Sequence, residues 1–132
     1  MIKNSPCFSP PLDVIIVGSG ASSLCLALNL AEKFSIGILT KDQVMSGSSP
    51  YAQGGIAAAT GKDDSAESHS QDTVKAGANL NHRATVKFTT ESAPEAIKWL
   101  QEQGVEFTKM KDGSDLHRSK EGGHSVRRVL HV

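Results

Sequence analysis

Aromatic side chains are scarce in this chain, with one tryptophan, one tyrosine and four phenylalanines among 132 residues. Proteins that hold single-stranded nucleic acid stack bases on such rings, so that class loses its main support. An excess of charge is lacking too, because fourteen acidic side chains cancel fourteen basic ones. No long-range field draws the chain toward nucleic acid or an anionic membrane. Cysteine is limited to Cys7 and Cys25, whose spacing is neither a CxxC nor a zinc-ligand pattern. Two free thiols in a reducing cytosol are expected. No apolar run approaches the roughly 20 residues that span a bilayer. The N-terminal arm, broken by Pro6, Pro10 and Pro11, has no apolar stretch of the signal-peptide kind. The chain reads as a soluble cytoplasmic protein, one domain with a modest core, and with no nucleic-acid or membrane partner.

What is present begins at Asp13. Val14-Ile15-Ile16-Val17 is an unbroken apolar run of the kind seen in buried parallel strands. It enters Gly18-Ser19-Gly20-Ala21-Ser22-Ser23, a glycine turn that opens onto a helix. A bare Gly20 lets a pyrophosphate approach the backbone, and the helix start offers free N–H groups and a positive dipole end. The third glycine of the usual pattern is Ser23 here. By itself the turn fits either dinucleotide binding or an incidental bend in an α/β protein. The helix is expected to turn Leu24, Ala27, Leu28 and Ala31 inward and to fray near Glu32-Lys33-Phe34. A second strand follows at residues 36–40, which makes a Rossmann-like βαβ unit.

In such units an acid usually ends the second strand and binds a ribose. Here Lys41 holds that place and Asp42 comes late, which argues against routine NAD binding. Residues 46–61 are rich in glycine, alanine and serine. A plain linker is one reading; Tyr51, Gln53 and the Gly54-Gly55 pair favour a loop pressed against a flat heterocycle.

A helix is expected from Asp64, as the cap of a box closed by Glu67, to a stop near Gly77. A second helical stretch follows Asn81, either as one kinked helix or as two divided at Pro94, with Ser92 and Glu95 available as a fresh cap. Its stripe is Ala96, Ile97, Trp99 and Leu100, with Trp99 a core anchor and Gly104 just past its end. Val105 to Phe107 reads as a short strand before a polar turn at residues 111–114. Further on, His117, His124 and His131 do not match a zinc pattern. The cations of that stretch fit either an anion site beside a glycine turn or a solvated basic tail.

Three segments carry a family resemblance: Asp13 to Ala21, Tyr51-Ala52-Gln53-Gly54-Gly55-Ile56-Ala57-Ala58, and Glu121-Gly122-Gly123-His124-Ser125 followed by Arg127-Arg128-Val129-Leu130-His131. Together they resemble the N-terminal part of the L-aspartate oxidase family, within the fumarate reductase and succinate dehydrogenase flavoprotein group. The likeness runs from Asp13 to the last residue. It implies an α/β fold: a Rossmann-like FAD-binding βαβ unit followed by helices, an incomplete portion of a larger FAD-binding domain. Residues 1–12 would be a flexible arm and 13–132 the truncated FAD-binding portion, without the substrate-capping domain.

The resemblance further implies oxidation of L-aspartate to iminoaspartate on FAD, in quinolinate and NAD biosynthesis, with oxygen or fumarate reoxidising the flavin. Quinolinate synthase is then a candidate partner. Ser19, Gly20, Ala21 and Ser22 would meet the diphosphate, and Lys41 matches a lysine of the family. Ser48, Ser49, Pro50, Tyr51, Ala52, Gln53, Gly54 and Gly55 would line the isoalloxazine and its linker. Glu121 matches the carboxylate that orients the substrate amino group, a role its charge suits. Ser23 and Pro50 depart from the family pattern. The arginine that serves the family as proton acceptor has no counterpart here, so the chain is expected to be inactive alone. The alternative is a non-catalytic FAD or nucleotide module. The covalent histidine of succinate dehydrogenases has no counterpart in the Tyr51-Ala52-Gln53 loop, and His69 lies beyond it, so noncovalent FAD is expected.

Overall fold

The computed structural model describes residues 11–52 and 54–132. Most of the arm expected at residues 1–12, together with Cys7 and Gln53, lies outside the described residues. The chain divides into two compact units, Met1–Gln53 and Gly54–Val132.

In the first unit, β1 (Val14–Val17) and β2 (Ile36–Leu39) are joined through helix α1 (Ala21–Leu30). The strands pair in parallel, from Val14 opposite Ile36 to Val17 opposite Leu39. The Asp13 carboxylate accepts the Ser35 N–H at 2.8 Å, and Ser35 returns its carbonyl to the Asp13 N–H at 2.9 Å. That exchange sets the register one residue ahead of the ladder. Successive strand residues point to opposite faces: Ile16 is buried, whereas Ile15 and Val17 are exposed. The expected burial on both faces is therefore met on one face only, the result of a single helix packing on two strands. On α1, Leu24, Ala27 and Leu30 are half-buried while Leu28 and Ala31 are exposed. The inward stripe is rotated from the expected one, because Leu30 rather than Leu28 sits over the sheet side.

The second unit pairs a helical hairpin with a small sheet. α2 (Ala66–Ala76) and α3 (Arg83–Glu102) pack on each other, and β3 (Ile56–Ala57), β4 (Arg118–Ser119) and β5 (Val129–Leu130) form an antiparallel sheet in the order β3-β5-β4. The core is Ala58, Ile97, Phe107 and Leu130, with Ala93, Leu100, Val105 and Leu116 packed against it. Ser65, not Asp64, caps α2, its Oγ accepting the Ser68 N–H at 3.1 Å. The Asp64 carboxylate is drawn elsewhere, to Arg128.

Helix α3 is one continuous helix through Pro94. Pro94 removes the N–H that would reach the Thr90 carbonyl, while the buried Thr90 hydroxyl donates to the Lys87 carbonyl at 3.1 Å. The helix stops as expected: the Gly104 N–H bonds Gln101 and the Val105 N–H bonds Leu100, both at 3.0 Å, the two bonds of a Schellman ending. Trp99 is only half-buried, and Ile97 takes the central place. Residues 105–107 form no strand; they run as an extended segment that buries Phe107 before a bridge between Lys109 and Leu116. The polar turn beyond it closes with the Gly113 N–H on the Met110 carbonyl at 2.8 Å.

Candidate functional site

Gly18 leaves β1 at φ +106°, outside the range that side chains tolerate, and its N–H reaches the Leu39 carbonyl at 2.8 Å. The chain then turns under the start of α1. Gly20 is the N-cap, with no side-chain cap and no acidic residue in the first turn. A Cβ at Gly20 would meet nothing within 4 Å, so the approach to these amides is open. The Ser19 hydroxyl donates to the Val44 carbonyl at 2.9 Å and lies 3.4 Å from Thr40 Oγ1. Ser23, in place of the third glycine, has its Oγ about as far as a normal van der Waals contact from Gly18, 3.6 Å from an added Cβ.

The expected second segment joins this turn within the same unit. A short 3-10 turn, Ser49–Tyr51, brings the Ser49 Oγ to the Ala21 N–H at 3.3 Å. Ser48, Ser49, Pro50, Tyr51 and Ala52 are all exposed, as is Lys41 just past β2. A cavity of about 480 Å³ opens beside the turn, bounded by Ser19, Thr40, Lys41, Asp42, Gln43, Ser46 and Gly47. Ser46 and Gly47 belong to the small-residue stretch at 46–61, ahead of the contacts that the resemblance implies from Ser48 on, whereas Gln43 precedes the stretch and carries no signal of its own. Gln53 lies outside the described residues, and Gly54 has open space around it. Gly55 belongs to the second unit, where an added Cβ would collide with Val129 Cγ1 and the Leu130 carbonyl. Close backbone packing on β5 is thus a sufficient reason for glycine there.

Of the C-terminal cations, Lys120 and Arg127 are exposed, whereas Arg118 and Arg128 take neither expected form. Arg128 is fully buried. Its Nε and Nη2 each donate to Asp64 at 2.8 Å, Nη1 to Asp72 at 2.8 Å, and Nη2 to the Ser68 hydroxyl at 3.1 Å. Asp72 also accepts the Ser125 N–H and hydroxyl, both at 2.7 Å. Desolvation pushes the Asp72 carboxyl up, but the hydrogen bonds from Ser125 and Arg128 outweigh it and hold the group below its ordinary value. His69 on α2 is buried, with Nδ1 lacking a partner among the described residues and its ring 5.7 Å from that of His124. Burial first, then the charge of Arg128 and the neighbouring His124, lowers its pKa despite Asp64 and Asp72. Arg118 is likewise engaged, by Thr60 and Asp115.

Glu121 stands in the loop between β4 and β5, half-exposed. Its Oε1 lies 3.1 Å from His131 Nε2 and accepts the Ser119 hydroxyl at 3.3 Å. Ser119 and His131 come to Glu121 through the antiparallel pairing of β4 with β5, a pairing that two-residue strands without an alternating pattern do not announce in the sequence.

A parallel βαβ unit with an open, uncapped helix start behind a glycine turn defines an α/β protein of the nucleotide-binding kind. The chain belongs to the FAD-binding domain family, whose pattern matches residues 13–132, and its cofactor is FAD. It is 46% identical over 126 residues to an L-aspartate oxidase of Pseudomonas aeruginosa, covering 91% of this chain and 23% of that protein. An L-aspartate oxidase of Nostoc is 43% identical over 125 residues, covering 95% and 21%. The chain thus spans about a quarter of the length of the curated relatives it matches. Among solved structures, the Mycobacterium smegmatis Sdh1 complex in the apo form superposes with a TM-score of 0.83 at 29% identity, covering 92% of this chain and 21% of that one. The E. coli quinol fumarate reductase subunit FrdA gives 0.82 at 28%, covering 90% and 21%.

The residues present fit FAD. The open space at Gly20 and the absence of acid in the first turn of α1 suit a diphosphate, whose charge an N-terminal carboxylate would repel. No helix among the described residues is long and apolar enough to cross a membrane.

Proposed function

We propose that this chain is the flavin-binding part of an L-aspartate oxidase, converting L-aspartate to iminoaspartate on noncovalent FAD in the route to quinolinate and NAD. The observation that carries the reading is the 46% identity to an L-aspartate oxidase sustained over 91% of the chain. FAD supplies the acceptor for the two electrons leaving the amino acid. The chain's own residues bind and orient. Ser19, Gly20, Ala21 and Ser22 hold the diphosphate through backbone amides and the dipole of α1. Lys41 meets the adenosine half, and Ser48 through Gly54 line the flavin ring and its linker, while Gly55 beside them is fixed by its packing on β5. The FAD-binding portion is residues 13–132, the stretch that the family pattern matches.

Glu121 orients the substrate: a half-exposed carboxylate attracts the ammonium group of L-aspartate. No residue of the chain is assigned the α-proton, and turnover by these 132 residues alone is not expected. Oxygen or fumarate reoxidises the flavin, and quinolinate synthase consumes the product, in the cytoplasm.

Titrating the chain with FAD and assaying aspartate-dependent peroxide tests the reading. Saturable FAD binding, released intact by acid precipitation, with no turnover is the expected result. A chain that binds no flavin overturns it, and a covalent adduct by mass spectrometry would favour the succinate dehydrogenase branch. FAD binding without any affinity for L-aspartate favours the non-catalytic module.

A further inference from the structure

We propose that His131 is a positioning residue for Glu121, whose Nε2–H holds the carboxylate in the orientation that meets a substrate ammonium group. The inference rests on the reading of Glu121 given under the proposed function. Three observations carry it. His131 Nε2 lies 3.1 Å from Glu121 Oε1 and 2.9 Å from Ser119 Oγ. The Ser119 hydroxyl lies 3.3 Å from the same Oε1. No hydrogen bond to Oε2 occurs among the described residues. One carboxylate oxygen is therefore held from within, and the other is left for a ligand.

The residue is itself held, backbone and ring. The His131 carbonyl accepts the Thr108 N–H at 2.8 Å, and the bare backbone of Gly55 backs the ring, an added Cβ falling 2.8 Å from Cε1. The tautomer follows from charge. A lone pair on Nε2 would face a negative oxygen at 3.1 Å, so the neutral ring carries its proton on Nε2. Ser119 Oγ then shares that proton as a second acceptor while its own hydrogen turns to Glu121 or to the Val129 carbonyl. With side chains 38% and 50% exposed, the pair is open to a small solute. Its strength is that of a partly solvated charge-assisted bond, enough to choose a rotamer rather than to stabilise the fold.

Two measurements test this on the full chain loaded with FAD. Imidazole 15N spectra read the tautomer, and His131 is expected as Nε2–H, with Glu121→Gln moving its Nε2 resonance. Binding of L-aspartate and of succinate, which differ only in the amino group, then reads the positioning. His131→Leu is expected to weaken L-aspartate roughly three- to tenfold, as for loss of one hydrogen bond of ordinary net strength, and to leave succinate unchanged. His131→Gln keeps a donor at that place and is expected to restore binding. In a Glu121→Gln background, His131→Leu should add nothing. An Nδ1–H tautomer, or equal weakening of both ligands, overturns the proposal. If Glu121→Gln weakens L-aspartate and His131→Leu does not, this proposal alone fails. If Glu121→Gln has no effect, the reading of Glu121 fails and takes this one with it.

Discussion

Arg128 and Asp64 face each other with no exposed surface on either side chain, joined by two parallel bonds of 2.8 Å. Sixty-four residues apart, they tie the entry of α2 to the strand β5, and Asp72, within α2, closes the same guanidinium. Breaking such a pair by removing one partner leaves a buried charge unpaired. Arg128→Met is therefore expected to lower stability by about 3–5 kcal/mol, read from urea unfolding midpoints. A loss under about 1 kcal/mol would mean that water already reaches the site.

His69 makes stability depend on pH in a stated direction. Its folded pKa lies below the ordinary 6.5, so between the two values the unfolded chain binds a proton that the folded chain refuses. Stability is then lost as pH falls below 6.5. The Asp72 carboxyl, also lowered, adds a loss in the same direction as pH falls below 3.8. Unfolding midpoints at about pH 7.5 and 5.5 should differ in the natural chain and converge in His69→Gln. A flat profile in the natural chain refutes the assignment.

The two glycines of the turn should separate folding from binding. Gly18→Ala forces a side chain to φ +106° and is expected to cost about 1–3 kcal/mol of stability. Gly20, at φ −73° with open space around it, has no such constraint. Gly20→Ala should leave the unfolding midpoint unchanged and weaken FAD binding roughly tenfold or more, about 1.4 kcal/mol. Fluorescence titration of FAD checks the second half, and unaltered affinity would remove Gly20 from the site.

Gly55→Ala places a methyl group against Val129 and the Leu130 carbonyl. Overpacking of this kind is expected to cost about 1–3 kcal/mol. Because the clash is with β5 itself, the loss should appear equally with and without FAD. A loss seen only in the flavin-loaded chain would point instead to a ligand contact.

The local elements were largely legible in the sequence. The apolar run at Val14 to Val17, the glycine turn and the second strand each declare themselves within a few residues, and so does the end of α3 at Gly104. Errors arose where two neighbours were equally fit for one task. Asp64 and Ser65 are both good helix caps, and Ser65 took the cap because Asp64 was claimed by a guanidinium far along the chain. Trp99 lost the core to Ile97 for a similar reason, since a helical stripe names several candidates and only the facing surface selects among them.

By itself the sequence determined the βαβ unit and its glycine turn, since strand, turn and helix signals act over a few residues and need no distant partner. It also carried, through its likeness to a flavoprotein family, the identity of the coenzyme. Tertiary structure decided the fate of the charged residues near the C-terminus. Whether Arg128 is a buried strut or a free cation, and whether Glu121 stands alone or beside His131, depends on which strands pair. Charge and hydrogen-bonding capacity are properties of a residue, but burial and partnership exist only once distant segments have come together.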